Sequence, residues 1–315
     1  MILISLLLIA VSVLMHVSWN LMARHVDTQC HFLWWGLLTH LWLLGPIGVY
    51  GLLVDAHWSW ALVGAIVTTM LANSLYFIGL RHAYAKAPAA YVYPLARSSP
   101  LLIILWAWLW FDEIPGTQAL LGILISVVGL WLLASGGKQG NARSALPWIV
   151  LAAFCTSIYS LSDKVAIGYL PSLPAVLGYV SLGYGASFVL LSALNYWQQG
   201  RVVPACRPQW RFVLPGGLFI GTAYVLVIYV MQYLPAAYVV AFTNSGIVIA
   251  SLFAIIVMQE REHWRQRLLG AIVISFGLVV LGMGVVGSYH YRRNPCRTLS
   301  AVIWEPVKFR QALAC

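Results

Sequence analysis

The pentapeptide PAAYV occurs twice in the chain, at residues 88–92 and again at 235–239, an offset of 147. At that offset Ser98 meets Ser245 and Glu113 meets Glu260. With one inserted residue, Gly122 meets Gly270 and Gly129 meets Gly277. Nearer the start of each half, SWNLMARHV (18–26) can be laid on SIYSLSDKVA (157–166), which sets Trp19 on Tyr159 and Arg24 on Lys164. A register that persists over such distances means two copies of one structural unit.

Composition identifies the solvent of that unit. Of the 315 residues, 62% are apolar and 8% charged, against about 25% charged in soluble domains. Apolar runs bounded by charges, Pro or Gly predict ten membrane-spanning helices, near 2–22, 32–54, 60–80, 88–111, 117–136, 146–167, 174–197, 211–232, 238–258 and 266–286. The runs are about twice the length of barrel strands and do not alternate. The expected fold is therefore an all-α polytopic membrane protein. Residues 1–140 form the first five-span repeat, 141–286 the second, and 287–315 a basic C-terminal tail. Five spans is an odd number, so a direct sequence repeat places its second copy upside down in the membrane. Such inverted pairs are common among secondary transporters, with the site between the repeats at midplane.

The net charge of +10 would suggest nucleic acid in a soluble protein. Here the basic residues sit one to three at a time between apolar runs, as orientation charges do. Loops after the odd-numbered spans hold 11 of them, whereas loops on the other face hold only Lys164. The positive-inside rule then places the amino terminus outside, although Arg292, Arg293 and Arg297 follow the last span and argue the other way. The first run lacks a basic leader region and a cleavage site, and reads as a retained span. Five cysteines and eight scattered histidines offer neither a disulfide framework nor metal-ligand spacing, so no metal or cofactor is expected.

Several segments resemble a known family. They are PAAYVYPLARSSPLLIILWAWLWFDE (88–113) with QALLGILISVVGLWLL (118–133), PAAYVVAFTNSGIVIASLFAIIVMQE (235–260) with RLLGAIVISFGLVVLGM (267–283), and the opening MHVSWNLMARH (15–25). Together they are similar to EamA-type members of the drug/metabolite transporter superfamily. The resemblance implies a ten-helix carrier of two EamA units that moves amino acids, other small metabolites or drugs. The second copy reads AFTNS where the first reads PLARS, so Pro94 and Arg97 have no counterparts there.

Polar groups at bilayer depth are costly, and they normally face a bundle interior or a wet cavity. Arg97 stands nine residues into span 4. It needs a partner: helix-end carbonyls, an acid such as Asp163, or the anionic group of a ligand held by its planar fork. Pro94 and Pro100 flank it, and a broken or kinked span is expected there. Asn244, its mate by register, should project toward the central cavity from the other repeat. Tyr93 lies one turn before Arg97. In span 1, Ser12, His16, Trp19 and Asn20 form one helical stripe, and span 6 repeats the idea with Thr156, Tyr159, Ser160 and Asp163. Span 3 offers Asn73 and Tyr76, and span 8 offers Tyr224. Each could be interhelical glue or a ligand contact. Asp163 and His16 are the protonation candidates for coupling, but Asp163 adjoins Lys164 near a span end, where a surface ion pair is expected. Glu113 and Glu260 read as structural, and Gly122, Gly129, Gly270 and Gly277 as close-packing positions.

The substrate-binding candidates are thus Arg97, Asn244, Tyr93, His16, Trp19, Asn20, Asn73, Tyr76, Tyr159 and Tyr224, with Asp163 as the coupling candidate. The function expected is a secondary transporter moving a small organic metabolite by alternating access, and the aromatic set around one Arg suggests an anionic group on it. The partners expected are that small molecule and the lipid bilayer of a bacterial inner membrane, with a homodimer as a candidate assembly and no nucleic acid. The rivals are a membrane-embedded enzyme and a non-transporting scaffold. The enzyme is disfavoured because only Asp112–Glu113 and Glu260/Glu262 cluster among the eight acids, both at span ends, and no hydrolase or nucleotide-binding motif occurs.

Overall fold

A computed structural model describes residues 2–27, 30–111, 115–135, 142–257, 259 and 263–292. Among these, every regular element is helical. In the first half, α1 (Ile2–Arg24) is span 1, α2 (Phe32–Leu43) with α3 (Gly45–Asp55) span 2, and α4 (Trp60–Tyr84) span 3. Span 4 is α5 (Ala89–Ala96) with α6 (Ser99–Phe111), and span 5 is α7 (Thr117–Ser135). The second half repeats the order. Spans 6, 7 and 8 are α8 (Ala142–Ala166), α9 (Leu173–Gln199) and α10 (Trp210–Val230). Span 9 is α11 (Ala236–Thr243) with α12 (Ser245–Ile256), and span 10 is α13 (Trp264–Arg292). Nine spans are long and apolar enough to cross a bilayer, and the bent pair of span 2 makes a tenth among the described residues. Glu113, Glu260 and the tail beyond residue 292 lie outside the described residues.

Three spans are interrupted, each for a local reason. Span 2, expected as one helix over 32–54, bends by 54° between α2 and α3. Pro46 stands in the first turn of α3, where its missing N–H costs least. Span 4 breaks at Arg97, with Pro94 inside α5 and Pro100 in the first turn of α6. Span 9 breaks at the matching place, Asn244, without any proline. There the hydroxyls of Thr243 and Ser245 bond the carbonyls of Val240 (2.7 Å) and Phe242 (2.8 Å). Side-chain hydroxyls of this kind satisfy carbonyls freed at membrane depth.

The packing is invariant under exchange of the halves. Span 1 packs on span 8 as span 6 packs on span 3, while spans 2 and 7, and spans 5 and 10, pack on each other. The glycines fix the sense of that relation. An ideal Cβ on Gly122 would stand 2.7 Å from the Gly277 carbonyl oxygen, and one on Gly277 would stand 2.7 Å from that of Gly122. Gly129 and Gly270 are related the same way, at 2.9 Å in each direction. Partners rise along α7 as they fall along α13, so the two helices are antiparallel. The repeat register exchanges one glycine pair for the other. An inverted five-plus-five arrangement produces this pattern, and helix backbones can approach so closely only where side chains are absent. Outside, Leu7, Leu71, Leu121, Ile272 and Phe276 are exposed, an apolar coat suited to lipid.

Cys30 and Cys206 form a disulfide that joins the loop before α2 to the loop before α10, and Trp35 Nε1 donates to the Cys206 carbonyl (3.3 Å). The spacing concealed this pair, since 176 residues separate the two cysteines. Cys155 is buried as a free thiol.

Gly122→Ala puts a Cβ 2.4 Å from the Leu281 backbone nitrogen and should cost about 1–3 kcal/mol by overpacking. Gly64→Ala, with nothing within 4 Å, should instead stabilise by roughly 0.5–1 kcal/mol. Melting temperatures of the two purified variants check both, and equal shifts would contradict the close crossing. Reductant should lower the stability of the oxidised protein by about 2–4 kcal/mol, an effect absent from the Cys30→Ser variant.

Candidate functional site

A cavity of about 460 Å³ lies between the two repeats and reaches the surface beside His31, Arg81 and Tyr84. This is the face that carries the basic loops and the disulfide. Span 1 contributes His16, Trp19 and Asn20, span 3 Asn73 and Tyr76, span 4 Tyr93 and Arg97, span 6 Tyr159, and span 8 Tyr224. Nine of the ten sequence-selected candidates therefore meet around one space. They do so because the 3.6-residue period keeps each stripe on one side of its helix.

Arg97 is the cation at the wall. It caps the C-terminus of α5, one NH2 group donating to the Tyr93 hydroxyl (2.8 Å) with the guanidinium 5.2 Å from the Tyr93 ring centroid. Its Nε is buried without a partner. None of the described cavity-lining residues is an acid, so the guanidinium meets phenols instead of a carboxylate. Tyr76 and Tyr159 sit edge to face (5.9 Å), Tyr159 and Tyr224 likewise (6.1 Å), and Tyr224 stacks near Tyr184 (6.3 Å). Trp19 Nε1 donates to His16 Nδ1 (3.1 Å), and the Asn20 amide donates to the His16 carbonyl (2.7 Å). These bonds set the stripe of span 1 in place.

Two expectations need correction. Asn244 does not face the cavity. It is fully buried, and its Nδ2 donates to the backbone carbonyl of Arg97 (3.3 Å). The break in span 4 explains this, because Leu101 N–H turns to the Ser98 carbonyl and leaves the Arg97 carbonyl to the amide. The repeat mates thus touch each other where the halves meet. Asp163 is not in a surface ion pair either. It is fully buried, with Oδ1 accepting from Thr69 (2.9 Å) and Tyr179 (2.8 Å) and Oδ2 from Tyr224. Lys164 instead directs Nζ to the carbonyls of Met231 (2.6 Å) and Leu234 (3.4 Å). The end of span 6 tucks under the loop between spans 8 and 9, so nearness to a helix end did not mean nearness to water. Ser12 is glue, bonded to the Ala223 carbonyl (2.7 Å).

Span 7 was overlooked. Tyr184, Leu191 and Asn195 line the cavity at spacings of seven and four, a helical stripe legible in principle. His31, Phe32 and Trp34 reach the mouth from the start of span 2, brought there by the bend and the disulfide, and nothing in their spacing announces it. Opposite the mouth the protein is sealed. Leu170, Ile228 and Met231 are fully buried, Ser172 donates to Asp55, and His57 N–H donates to the Tyr169 carbonyl (2.9 Å).

Residues 3–135 and 143–283 each match the EamA-like transporter family. The chain belongs to that family. It is an integral, multi-pass membrane protein with a lipid bilayer as its surroundings. Among named relatives it is 27% identical over 146 residues to "Uncharacterized inner membrane transporter YicL" of Salmonella typhimurium (strain LT2), a stretch covering 45% of this chain and 44% of the relative. The match thus spans less than half of that relative. A solved crystal structure of a protein superposes with a TM-score of 0.66 at 20% identity, over 89% of this chain and 96% of that one. That likeness concerns the fold.

Proposed function

We propose that the chain is a secondary carrier of a bacterial inner membrane that moves a small organic anion by alternating access, with the cavity as its substrate site. The observation that carries the reading is Arg97: a buried guanidinium in the cavity wall, with an open Nε and no acid among the described lining residues. A cation at that depth favours an anionic partner, and an organic anion with an apolar body suits a fork framed by Tyr76, Tyr93 and Tyr159. Asn20, Asn73 and Asn195 add neutral polar contacts for the remainder of the molecule.

The inverted repeats support the alternating part. At the mouth, Arg81 is half-buried and Tyr84 is 40% exposed. Their register mates Ile228 and Met231 are fully buried at the sealed end. Two copies of one unit thus occupy two conformations, and exchanging them would close the present mouth and open the opposite end.

Arg97→Ala should weaken an anionic substrate by about 1.5–3 kcal/mol, the worth of a charge-assisted hydrogen bond. Arg97→Lys should rescue it only in part, since a point charge does not reproduce the fork. Affinity and melting temperature measured on the same variants separate binding from folding, and unchanged affinity in well-folded Arg97→Ala would end this reading.

The loop charges make the open face cytoplasmic. The Cys30–Cys206 bridge weighs against this, because disulfides persist in oxidising compartments. Eleven basic loop residues against one carry the orientation. A membrane-impermeant maleimide applied to intact cells should therefore leave Arg201→Cys and Arg265→Cys unlabelled. Ready labelling there would reverse the orientation.

A further inference from the structure

The cavity accounts for the polar stripe of span 6 except for its last member. Asp163 lies beyond the cavity wall, yet one cavity residue reaches it: Tyr224 has its ring in the wall and its hydroxyl on Asp163 Oδ2. The register that sets Trp19 on Tyr159 sets Ala23 on Asp163. Ala23 lines the cavity near its open end, whereas Asp163 occupies the equivalent place at the sealed end and is fully buried. When the halves exchange conformations, the place of Asp163 becomes the one beside an opening.

The described partners of this carboxyl group are hydroxyls, contributed by spans 3, 7 and 8. Thr69 and Tyr179 also approach each other to 2.6 Å. These are hydrogen-bond separations, and a metal cation seated among the oxygens would have to part them. A proton fits without moving any. The charged and titratable groups around the site are few. Tyr179 faces it from span 7 and Tyr224 from span 8, with Tyr184 stacked near Tyr224. On its own helix are Tyr159, in the cavity wall, and Lys164, whose Nζ is on the carbonyls of Met231 and Leu234. Span 3 contributes Thr69, which does not titrate. Arg97 stands on the cavity side.

The two charge states ask different things of Tyr224. An ionised carboxylate only accepts, so the Tyr224 hydroxyl donates to Oδ2, while Thr69 and Tyr179 share their protons between Oδ1 and each other. A protonated carboxyl has a hydrogen to donate, and the phenol oxygen of Tyr224 is the acceptor at Oδ2. Tyr224 must then turn its own O–H away, and the cavity is the open side. Resting on the carrier reading above, we propose that Asp163 is a proton-binding site, and that its loading re-aims the Tyr224 hydroxyl into the cavity as a second donor, beside Arg97, for the anion. Proton and anion then favour each other's binding, and by linkage the effect is equal in both directions. The two would travel together.

Infrared difference spectroscopy of the purified full-length protein, titrated from alkaline to mildly acidic pH, tests the site without a known substrate. A protonated-carboxyl carbonyl band should appear on acidification, vanish in Asp163→Asn, and shift in Tyr224→Phe, which loses the partner while keeping the acid. A titration without such a band, or a band that survives Asp163→Asn, would overturn the proposal. Should Asp163→Asn fail to fold, a band unmoved in Tyr224→Phe would overturn it equally. Benzoate, a minimal anion with an aromatic body, tests the linkage. Its affinity should rise on the order of tenfold on acidification in the wild type. It should stay high at all pH in Asp163→Asn, whose amide mimics the loaded acid, and low in Tyr224→Phe. Benzoate binding that ignores pH in the wild type would overturn the coupling and leave the carrier intact. A band that titrates in a protein that binds no benzoate would support the proton site and count against the anion reading.

Discussion

A polar group at bilayer depth has no water to turn to, and this fold is organised around that demand. Arg97 shows how it is met. The prolines of span 4 open the helix at that point, the guanidinium goes to Tyr93, and the carbonyl left behind is taken by Asn244 from the other repeat. One residue thereby ties the halves together through its backbone and offers its side chain to the cavity. Asp163 is the counterpart at the sealed end, its carboxyl satisfied by hydroxyls from three other spans. Cation and acid never meet. On the proposals made above, that separation leaves the cation to a ligand and the acid to a proton.

The repeat gives these local arrangements a second use. Spans 5 and 10 cross through paired glycines, with their backbones in close approach. Spans 1, 3, 6 and 8 surround the cavity and differ between the halves, with Arg81 and Tyr84 at an open mouth while Ile228 and Met231 are packed shut. Packed interfaces tend to hold discrete arrangements in place of a continuum. On the carrier reading proposed above, these two ends are homologous gates, one open and one closed.

Much of this was legible in the residues alone. The all-helical membrane class followed from run length, the inverted repeats from one pentapeptide and an odd span count, and the gathering of nine of ten candidates around one cavity from helical stripes. The failures share a physical cause. Asn244 was placed at the cavity by register, but register relates sequence positions and not environments, and the axis between the repeats brought it against Arg97 instead. Asp163 was read from its neighbour Lys164, whereas consecutive residues on a helix point about 100° apart, and their partners came from different spans. The Cys30–Cys206 bridge and the bend of span 2 depend on contacts between distant segments that leave no mark on local pattern. The stripe of span 7 is present in the sequence, but its single aromatic residue does not stand out among so many others.

We propose that two gates move in opposite senses around one site. Spin labels can report each gate in the purified carrier. One pair, Val26→Cys with Ala85→Cys, spans the open mouth, and another, Gly168→Cys with Gln232→Cys, spans the sealed end, each measured in a background lacking the native cysteines. Electron–electron distance distributions taken as a transported anion is added should shift together. The mouth distance should shorten in the same fraction of molecules in which the sealed-end distance lengthens. Two ends that open together, or a sealed end that never opens while transport proceeds, would contradict the account.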